Sequence, residues 1–363
     1  MNVALRAFLG GSSFLCALSA VQALERPGVE FKIYQFPPDQ IPRIDGDARD
    51  WEMVPKEYHI GIDQLSDTVG GKGTRFDRTD LDVTVRVGWV KGLSQLYFLY
   101  EASDDFWDFA KTDLHNDIFE LVIDGDLSGG PFIKHMHPVL KDDHAKAHFS
   151  FHGVHAQNYH IFTPWEGKEW TMVWGCQPWI KDLPYANAAQ KHNLRPGQSG
   201  KLVLEFWVTP FDYAPADGPE RAVVSKLAEN AIIGMSWSIL DYDDEKAERF
   251  KSFWNLSHKT TMYGNASDLC AFRLMPLEAR WRKPIDAQWQ FQVMDASKRK
   301  VAFLDESTGN ITGWKWDFGD GKTSTDRHPI HVYEKGGEFT VTLWVEGPEG
   351  NSRRAKVWDL FLE

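Results

Sequence analysis

Histidine side chains are concentrated in one part of this chain. Eight of the 13 histidines lie between residues 115 and 160. Imidazole nitrogens bind transition metals and haem iron, and they also form hydrogen bonds with water and with hydroxyl groups. This segment is therefore the first candidate for a site that binds a metal or a polar ligand.

Two of these histidines flank a methionine. His135 and His137 lie on either side of Met136, and both His and Met serve as axial ligands of haem iron. Residues two apart on a strand are about 6.6 Å apart, so the two imidazoles would share an ion only in a bent loop or with a ligand from another strand. The sequence has no C-x-x-C-H attachment motif. A transition metal at His135 and His137 is one prediction, and a polar segment that faces sugar or water is the other.

A second group of histidines alternates with phenylalanine. His148, Ser150 and His152 alternate with Phe149 and Phe151. Because successive side chains of a strand point to opposite faces, the alternation predicts a strand with one polar face. His148 and His152 are therefore candidates for hydrogen bonds to a sugar or to water.

Acidic residues are clustered in three predicted turns. These turns are residues 104–105, 124–126 and 241–245. Calcium takes six to eight oxygen ligands, so a calcium site among the turns is one interpretation and solvated turns are the other. The expected calcium ligands are Asp124, Asp126, Asp241 and Asp243.

Aromatic residues are abundant, and one segment is especially rich in them. The chain has 16 tryptophans, which leaves room for exposed rings that stack on a ligand. Residues 163–179 hold four of these tryptophans, among them Trp165 and Trp170. The segment predicts a stacking platform, or else a hydrophobic hairpin packed against the rest of the fold.

The elements that must position these residues are predominantly strands. Short runs of alternating apolar residues are separated by Gly, Asp and Pro, which predicts an all-β fold made of β-sandwiches. Residues 220–230 are predicted as one short helix. The clearest predicted strands are 81–90, 95–102, 118–123, 201–208 and 232–240.

Composition and charge exclude several classes of protein. The net charge of -12 argues against nucleic-acid binding, which needs a basic surface.

Residues 1–23 combine one Arg with an apolar run and end in Val-Gln-Ala, the layout of a secretory signal peptide. No later segment reaches about 18 apolar residues. We therefore expect a chain without a membrane span that is secreted, periplasmic or attached to the cell surface.

Two cysteines remain after the predicted cleavage. Cys176 and Cys270 could form one disulfide in an oxidising compartment. Two buried thiols are the alternative.

Familiar catalytic motifs are absent from the sequence. There is no nucleophile elbow, no H-E-x-x-H and no phosphate-binding loop. A glycosidase needs two carboxyl groups at a set separation, and the acidic turns show no such signature. Binding rather than catalysis is therefore expected.

The C-terminal segment has its own pattern of rings and glycines. In WKWDFGDGKTS, Trp314, Trp316 and Phe318 fall on one face of a predicted strand. Residues 319–321 (Gly-Asp-Gly) supply the positive φ angles that a tight turn needs. Later, alternate residues of EFTVTLWV place four apolar side chains on one face of the last predicted strand.

With the H-x-Y and G-x-F-T-V-T-L patterns that follow, residues 285–363 resemble the polycystic kidney disease (PKD) domain. The resemblance implies a small immunoglobulin-like β-sandwich. Members act as extracellular spacers or interaction modules, often beside enzymes that degrade polymers. Asp317 and Asp320 are expected to brace the turn, with calcium binding as the alternative.

The N-terminal segment carries three further patterns in a fixed order. They are I-D-G-x-x-x-D-W from Ile44, D-I-F-E-L-V-I-D from Asp117, and a late strand that ends at Asp241. Together they resemble the family 9 carbohydrate-binding module and the wider DOMON-like group, which also includes haem binders, so the resemblance implies haem at His135 and His137 as an alternative. The resemblance implies a larger jelly-roll or immunoglobulin-like sandwich over residues 24–280.

Members of that family hold a sugar between two aromatic rings, while polar side chains fix its hydroxyl groups. Tyr263 matches the position of the second ring. The position of the first ring is Leu114, a departure from the family pattern, and Trp107 or Phe109 from the same loop would have to replace it.

The sequence thus predicts a secreted, non-catalytic carbohydrate-binding protein with a PKD spacer. Its partners would be a polysaccharide or a cell-surface glycan, together with a polysaccharide-degrading enzyme. The alternatives are a carrier of haem or metal that uses the histidine-rich strands and, ranked last, a glycosyl hydrolase or its accessory subunit. The expected carbohydrate-binding residues are Trp107, Tyr263, Trp165, Trp170, His148 and His152.

Overall fold

The computed structural model describes residues 24–109, 111, 116–244, 246 and 249–360. The predicted signal peptide (1–23) and Leu114 lie outside the described residues. The chain divides into two compact units, Met1–Pro276 and Leu277–Glu363. The sequence placed this boundary between residues 280 and 285.

Strands supply nearly all of the regular structure in the first unit. Its α-helix, α1, spans His144–Phe151. Its strands are β1 (Glu25–Gln35), β2 (Ile60–Gly61), β3 (Ser66–Asp67), β4 (Leu81–Trp89), β5 (Leu96–Asp104), β6 (Ile118–Asp124), β7 (Gln157–Phe162), β8 (Thr171–Val173), β9 (Ala186–His192), β10 (Gly200–Val208), β11 (Phe211–Tyr213), β12 (Val223–Val224), β13 (Ile232–Asp241), β14 (Ser252–Asn255) and β15 (Cys270–Leu274).

Short 3₁₀ turns connect several of these strands. They are Ala48–Trp51, Lys56–Tyr58, Ile62–Gln64, Lys134–Met136, Pro178–Lys181, Pro219–Arg221, Thr260–Tyr263 and Ala266–Asp268, with Ala279–Trp281 in the second unit. Five strands predicted from alternation are confirmed as β4, β5, β6, β10 and β13, with ends that shift by one or two residues.

The first unit is a sandwich whose two layers share strand β1. Strand order is β8-β7-β6-β13-β15-β1-β4-β5-β10-β9, and β1 pairs in parallel with β15 and then with β4. The layers meet in one core. The ring of Phe119 in β6 lies 4.8 Å from that of Tyr100 in β5 and 6.1 Å from that of Phe206 in β10.

Strand β6 faces the core with one side and a set of covering loops with the other. Phe119 and Leu121 belong to the core between the layers, whereas Ile118 and Val122 belong to a separate cluster beneath the loops. Because side chains alternate along a strand, Glu120 lies on this outer face between Ile118 and Val122. The outer face of β6 and its neighbours is the floor of the candidate site.

The predicted helix at 220–230 is wrong. Pro219–Arg221 forms a 3₁₀ turn there, and Val223 and Val224 form β12, which pairs with β11. Proline suits only the start of a helix, and β-branched valine favours a strand when a partner strand is available.

The strand predicted for His148–His152 is also wrong, because residues 148–151 belong to α1 and His152 is its C-cap. Asp143 caps the helix by accepting a hydrogen bond from Lys146 N (3.1 Å), and Ala145 and Ala147 are strong helix formers. The alternation of His and Phe is therefore incidental to the backbone conformation.

The second unit is a small sandwich of two sheets. One sheet has the order β16-β17-β20 and the other β19-β18-β21-β22. These strands are β16 (Trp289–Asp295), β17 (Lys300–Asp305), β18 (Gly313–Asp317), β19 (Thr323–Ser324), β20 (Ile330–Val332), β21 (Gly337–Gly347) and β22 (Gly350–Leu360).

The glycine-rich turn of this unit has a structural role. Trp316 and Phe318 are buried in its core and Trp314 packs against it. Asp317 accepts a hydrogen bond from Gly319 N (2.9 Å), and Asp320 accepts one from Lys322 N (3.0 Å). The two Asp side chains brace the turn, as the sequence predicted.

The two cysteines do not form a disulfide in this structure. Cys176 Sγ contacts the carbonyl oxygen of His152 (3.1 Å) and Cys270 Sγ that of Leu256 (3.7 Å). Burial raises the pKa of Cys176 to about 11 and that of Cys270 to about 12. The alternative of two buried thiols describes the structure.

Candidate ligand-binding site

Glu120 is the centre of a buried polar floor on the outer face of β6. It is 2% exposed, and its carboxylate accepts hydrogen bonds from His160 Nε2 (2.9 Å), Asn158 Nδ2 (2.8 Å) and Ser238 Oγ (3.0 Å). Strands β7 and β13 flank β6, and their registers place His160 and Ser238 directly opposite Glu120. The sheet itself therefore assembles the floor.

The floor keeps Glu120 ionised. Burial alone would raise the pKa of this carboxyl group. Attraction to His160 and the hydrogen bonds from His160, Asn158 and Ser238 outweigh that effect, and they hold the pKa below its usual value. Glu120 is thus a fixed anchor whose acceptor positions are largely occupied.

Four buried polar atoms around the floor lack a hydrogen-bond partner among the described residues. They are Asn158 Oδ1, His160 Nδ1, Trp174 Nε1 and His152 Nε2. Each such atom costs about 1–3 kcal/mol when left unpaired, so the four together make this a place where polar groups, of water or of a ligand, are stabilised. The indole N–H donates and the amide oxygen accepts, and a hydroxyl group can satisfy both.

Two half-buried aromatic rings stand beside the floor. The ring of Trp174 stacks on that of His160, with centroids 5.2 Å apart and planes 16° apart. The carbonyl oxygen of Tyr263 accepts a hydrogen bond from Asn158 Nδ2 (3.0 Å), and its ring lies 6.2 Å from that of His135. Flat apolar faces around a polar floor are what a pyranose ring requires.

Tyr263 was predicted for this site and Trp174 was not. The signal for Trp174 was its place among the four tryptophans of residues 163–179. A backbone hydrogen bond from Trp174 N to Asn158 O (2.9 Å) holds Trp174 beside the floor. This bond extends the hairpin of β7 and β8, and a hairpin was one of the two predictions for this segment.

Helix α1 brings His148 and His152 to the edge of the same site. Their Nδ1 atoms are 3.3 Å apart, and the ring of His152 lies 6.3 Å from that of Trp174. Burial, together with the charges of His148, Lys134 and His135, lowers the pKa of His152 to about 4. Burial also lowers the pKa of His148, so both imidazoles are neutral at pH 7.

His135 and His137 are not brought together as a pair of ligands. His135 is exposed beside Tyr263, whereas His137 Nδ1 accepts hydrogen bonds from the backbone N–H groups of Val139 (3.0 Å) and Leu140. Within the described ranges, no group of three close potential metal ligands contains a histidine.

Of the other predicted rings, Trp107 and Trp170 pack into the sandwich. Trp107 is 1% exposed and its indole donates to Gly200 O (3.1 Å), so it offers no face to a ligand, which corrects that expectation. Trp170 donates to Lys181 O (3.2 Å) and packs against the core. Trp165 is half-buried and borders a shallow surface groove with Glu166 and Lys168.

A second cluster, made of carboxylates, lies where β5, β6 and β13 come together. Asp104, Asp117 and Asp241 are all buried, and each offers an oxygen within 4.8 Å of the others. Asp241 is 1% exposed, and neither of its oxygens makes a hydrogen bond of ordinary geometry with a described residue. Burial raises the pKa of Asp241, and the nearby Ser252 hydroxyl offsets part of that rise.

Burial and the repulsion between neighbouring charges raise the pKa values of these carboxyl groups. Burial and the charge of Asp241 raise the pKa of Asp104 to about 8. Burial and the charge of Asp104 also raise the pKa of Asp117 well above its usual value, while burial raises that of Asp241 to about 6. Oxygens around one calcium ion at about 2.4 Å lie at most about 4.8 Å apart, so the donor set suits this ion.

The predicted calcium ligands are divided between two places. Asp241 and Asp243 belong to the acidic cluster, where Asp243 lies close to Asp80 and Asp105. Asp124 and Asp126 lie at the other end of β6, about 23 Å from Asp117 at about 3.3 Å per residue. There Asp124 accepts hydrogen bonds from Ser128 N (3.2 Å) and Gly129 N (2.8 Å).

Comparison with known families identifies the second unit. The PKD domain family matches residues 284–359. This confirms the PKD domain that the sequence predicted over 285–363, and the first unit lies outside the match.

Curated relatives match only a short part of the chain. Collagenase ColQ1 of Bacillus cereus is 41% identical over 51 residues, which are 14% of this chain and 5% of that protein. Pre-pro-metalloprotease PrtV of Vibrio cholerae is 38% identical over 66 residues, which are 18% of this chain and 7% of that protein. The chain therefore spans far less than two thirds of either relative.

Solved structures similar to this chain include both kinds of domain. The PKD1 domain of Vibrio cholerae PrtV has 28% identity and a TM-score of 0.20, and the match covers 22% of this chain and 98% of that domain. A family 9 carbohydrate-binding module of Caldicellulosiruptor kristjanssonii in complex with cellotriose has 13% identity and a TM-score of 0.41, with coverage of 70% and 98%. Its ligand is a property of that module, and the ligand of this chain has to follow from its own side chains.

Proposed function

We propose that the first unit binds a glycan on the floor centred on Glu120. The observation that carries this proposal is the group of unpartnered buried polar atoms beside two half-buried rings. A sugar residue would place its C–H face on Trp174 or Tyr263 and its hydroxyl groups against Asn158 and His160. A sugar offers both an apolar face for the aromatic rings and hydroxyl groups for the polar side chains.

The floor is suited to binding rather than hydrolysis. A glycosidase places two carboxyl groups on either side of the scissile bond, about 5–9.5 Å apart. Among the described residues of the floor, Glu120 is the carboxylate, and three hydrogen-bond donors hold it. We therefore propose a non-catalytic carbohydrate-binding protein.

Retention on insoluble polysaccharides, followed by calorimetry with soluble oligosaccharides, tests the proposal. Trp174→Ala should weaken binding about 10- to 100-fold, because burial of an aromatic ring contributes about 1.5–3 kcal/mol. Phe76→Ala, which removes a partly exposed ring far along the chain in the same unit, should leave binding unchanged. Failure to bind any member of a broad glycan panel, or equal binding by the two variants, would refute it.

We also propose that the chain is exported and that its PKD domain serves as a spacer or a second contact surface, beside a polysaccharide-degrading enzyme. The support is the signal-like composition of residues 1–23 and the PKD match. N-terminal sequencing of the protein from culture medium or periplasm should give Leu24 as the first residue. Recovery of the full-length chain from the cytoplasm alone would contradict export.

A structural calcium ion is the third part of the proposal. Asp104, Asp117 and Asp241 would hold it, and its charge would replace the protons that these buried carboxyl groups otherwise retain.

No helix within the described parts of the chain is long and apolar enough to cross a membrane.

A further inference from the structure

The two histidines at the end of α1 stand at the separation of metal ligands. His148 Nδ1 and His152 Nδ1 are 3.3 Å apart. Two nitrogens bound to one tetrahedral zinc ion at about 2.0–2.1 Å are themselves about 3.3–3.4 Å apart. The separation is therefore one that a chelated pair shares with a long ring hydrogen bond.

The backbone holds this pair in place. His152 N donates to the carbonyl oxygens of Ala147 (3.2 Å) and His148 (3.3 Å), which closes the last turn of α1. The carbonyl oxygen of His152 accepts hydrogen bonds from both the backbone N (3.2 Å) and Sγ (3.1 Å) of Cys176. A ligand pair fixed in advance loses little conformational entropy on binding.

With the proton of each neutral ring on Nε2, both Nδ1 lone pairs would be available to an ion. Across the described residues, the hydrogen-bond contact of each Nδ1 atom is with the other Nδ1. The imidazoles stand nearly perpendicular, with centroids 5.2 Å apart and an interplanar angle of 89°. Perpendicular rings let two in-plane lone pairs converge on one point without a clash between the rings.

We propose that His148 and His152 form a binding site for a divalent transition-metal ion of the zinc, copper and nickel group. Imidazole nitrogen suits these ions, whereas calcium and magnesium prefer oxygen. Water fills the remaining coordination positions. The site is separate from the acidic cluster, and it lies at the edge of the proposed glycan site because His152 contacts Trp174.

This assignment differs from the sequence prediction of a metal at His135 and His137. His137 Nδ1 is engaged by two backbone N–H groups, and His135 is exposed. The helix, rather than the His-Met-His sequence, creates the chelating geometry.

Calorimetric titration of the untagged, chelator-stripped protein with zinc chloride tests the proposal. Wild type should bind one zinc ion that His148→Ala binds at least tenfold more weakly. His155→Ala is the matched control, because this exposed histidine of the same segment contacts Asp212 O (3.3 Å) and the ring of Tyr213 (5.8 Å between centroids) rather than the histidine pair. Absence of zinc binding by wild type, or equal affinities of the two variants, would overturn the proposal.

A spectroscopic readout separates loss of a ligand from loss of fold. In ¹⁵N NMR spectra of the imidazole groups, zinc should shift the Nδ1 signals of His148 and His152 and leave those of His135 and His137 unchanged. Shifts at the latter pair instead would refute the assignment. Glycan retention, measured without metal, reports on the other site independently.

Discussion

The acidic cluster predicts that the first unit loses stability as the pH rises in the absence of a divalent cation. The pKa of Asp104 is about 8 in the folded chain and about 3.9 in an unfolded chain. The pKa of Asp117 is raised in the same direction. Between these values the folded state holds protons that the unfolded state has released, so stability falls as pH increases.

The range from pH 6.5 to 8 isolates this effect. Below it, the lowered pKa of His152 acts in the opposite direction, because the unfolded histidine binds a proton that the folded one excludes. Asp241, with a pKa of about 6, has already ionised. Asp104 and Asp117 therefore dominate the slope, with Asp124 adding to it near pH 7.

The expected slope follows from the proton count. One group that is protonated only when folded contributes about 1.4 kcal/mol per pH unit. Asp104 gives about 1.5–2 kcal/mol over this range, and Asp117, whose pKa is raised in the same direction, adds to it. In a unit of about 250 residues, where each kcal/mol shifts Tm by about 2–4 °C, Asp104 alone should lower Tm by roughly 3–8 °C, and Asp117 should increase this fall.

Calcium should reverse this fall. A bound ion keeps the carboxylates ionised in the folded state, so the difference in bound protons disappears. At 100 times Kd, calcium would add about 2.7 kcal/mol. The gain should be larger at pH 8 than at pH 6.5, where calcium must displace more protons.

Thermal melts at four pH values, in EDTA and in excess calcium chloride, provide the assay. Asp241→Asn should abolish the calcium response, whereas Asp142→Asn, in an exposed loop, should preserve it. A Tm that is flat or rises from pH 6.5 to 8 in EDTA would refute the electrostatic argument. A calcium effect that does not grow with pH would refute the calcium site.

Two further predictions concern the fold. Gly319→Ala should destabilise the second unit by about 2–4 kcal/mol, because its Cβ would lie 2.8 Å from Thr340 O at a φ of +78°. Gly321→Ala, at a φ of +87° with no neighbour within 4 Å, should cost only about 1–2 kcal/mol, and equal urea midpoints for the two variants would contradict the contact argument. Glu205 accepts hydrogen bonds from three backbone N–H groups and from Trp51 Nε1. Glu205→Gln should therefore lower the free energy of unfolding of the first unit, measured in urea, by about 2–4 kcal/mol. A loss below about 1 kcal/mol would show that these contacts are weak.

The strands were predictable because alternation is a local signal. In β4, buried residues such as Val83, Val85 and Val87 alternate with half-buried ones, so the sequence carries the pattern without knowledge of any partner. The I-D-G pattern that contains Gly46 was equally visible. Its acceptor, Glu205, was not, because that residue lies 159 positions away and nothing local distinguishes it from any other strand glutamate.

The polar floor was hidden for the same reason. Strand β6 is buried on both faces, so it reads as a nearly continuous apolar run in which Glu120 is an isolated charge. Its partners Asn158 and Ser238 lie 38 and 118 residues away. Only sheet pairing brings them together, and a family resemblance supplied Tyr263 where local patterns supplied nothing.

His148 and His152 were singled out correctly from the sequence, but the wrong secondary structure was predicted for them, and that changed the function inferred for the pair. On a strand, residues four apart would be separated by about 13 Å, and His148 and His152 could act only as independent hydrogen-bonding groups. On a helix, the same spacing places them side by side. The Asp143 cap and the alanines that follow it therefore determine whether these two side chains can share one ion. The metal site that we propose in this segment depends on a helix of eight residues rather than on the number of its histidines.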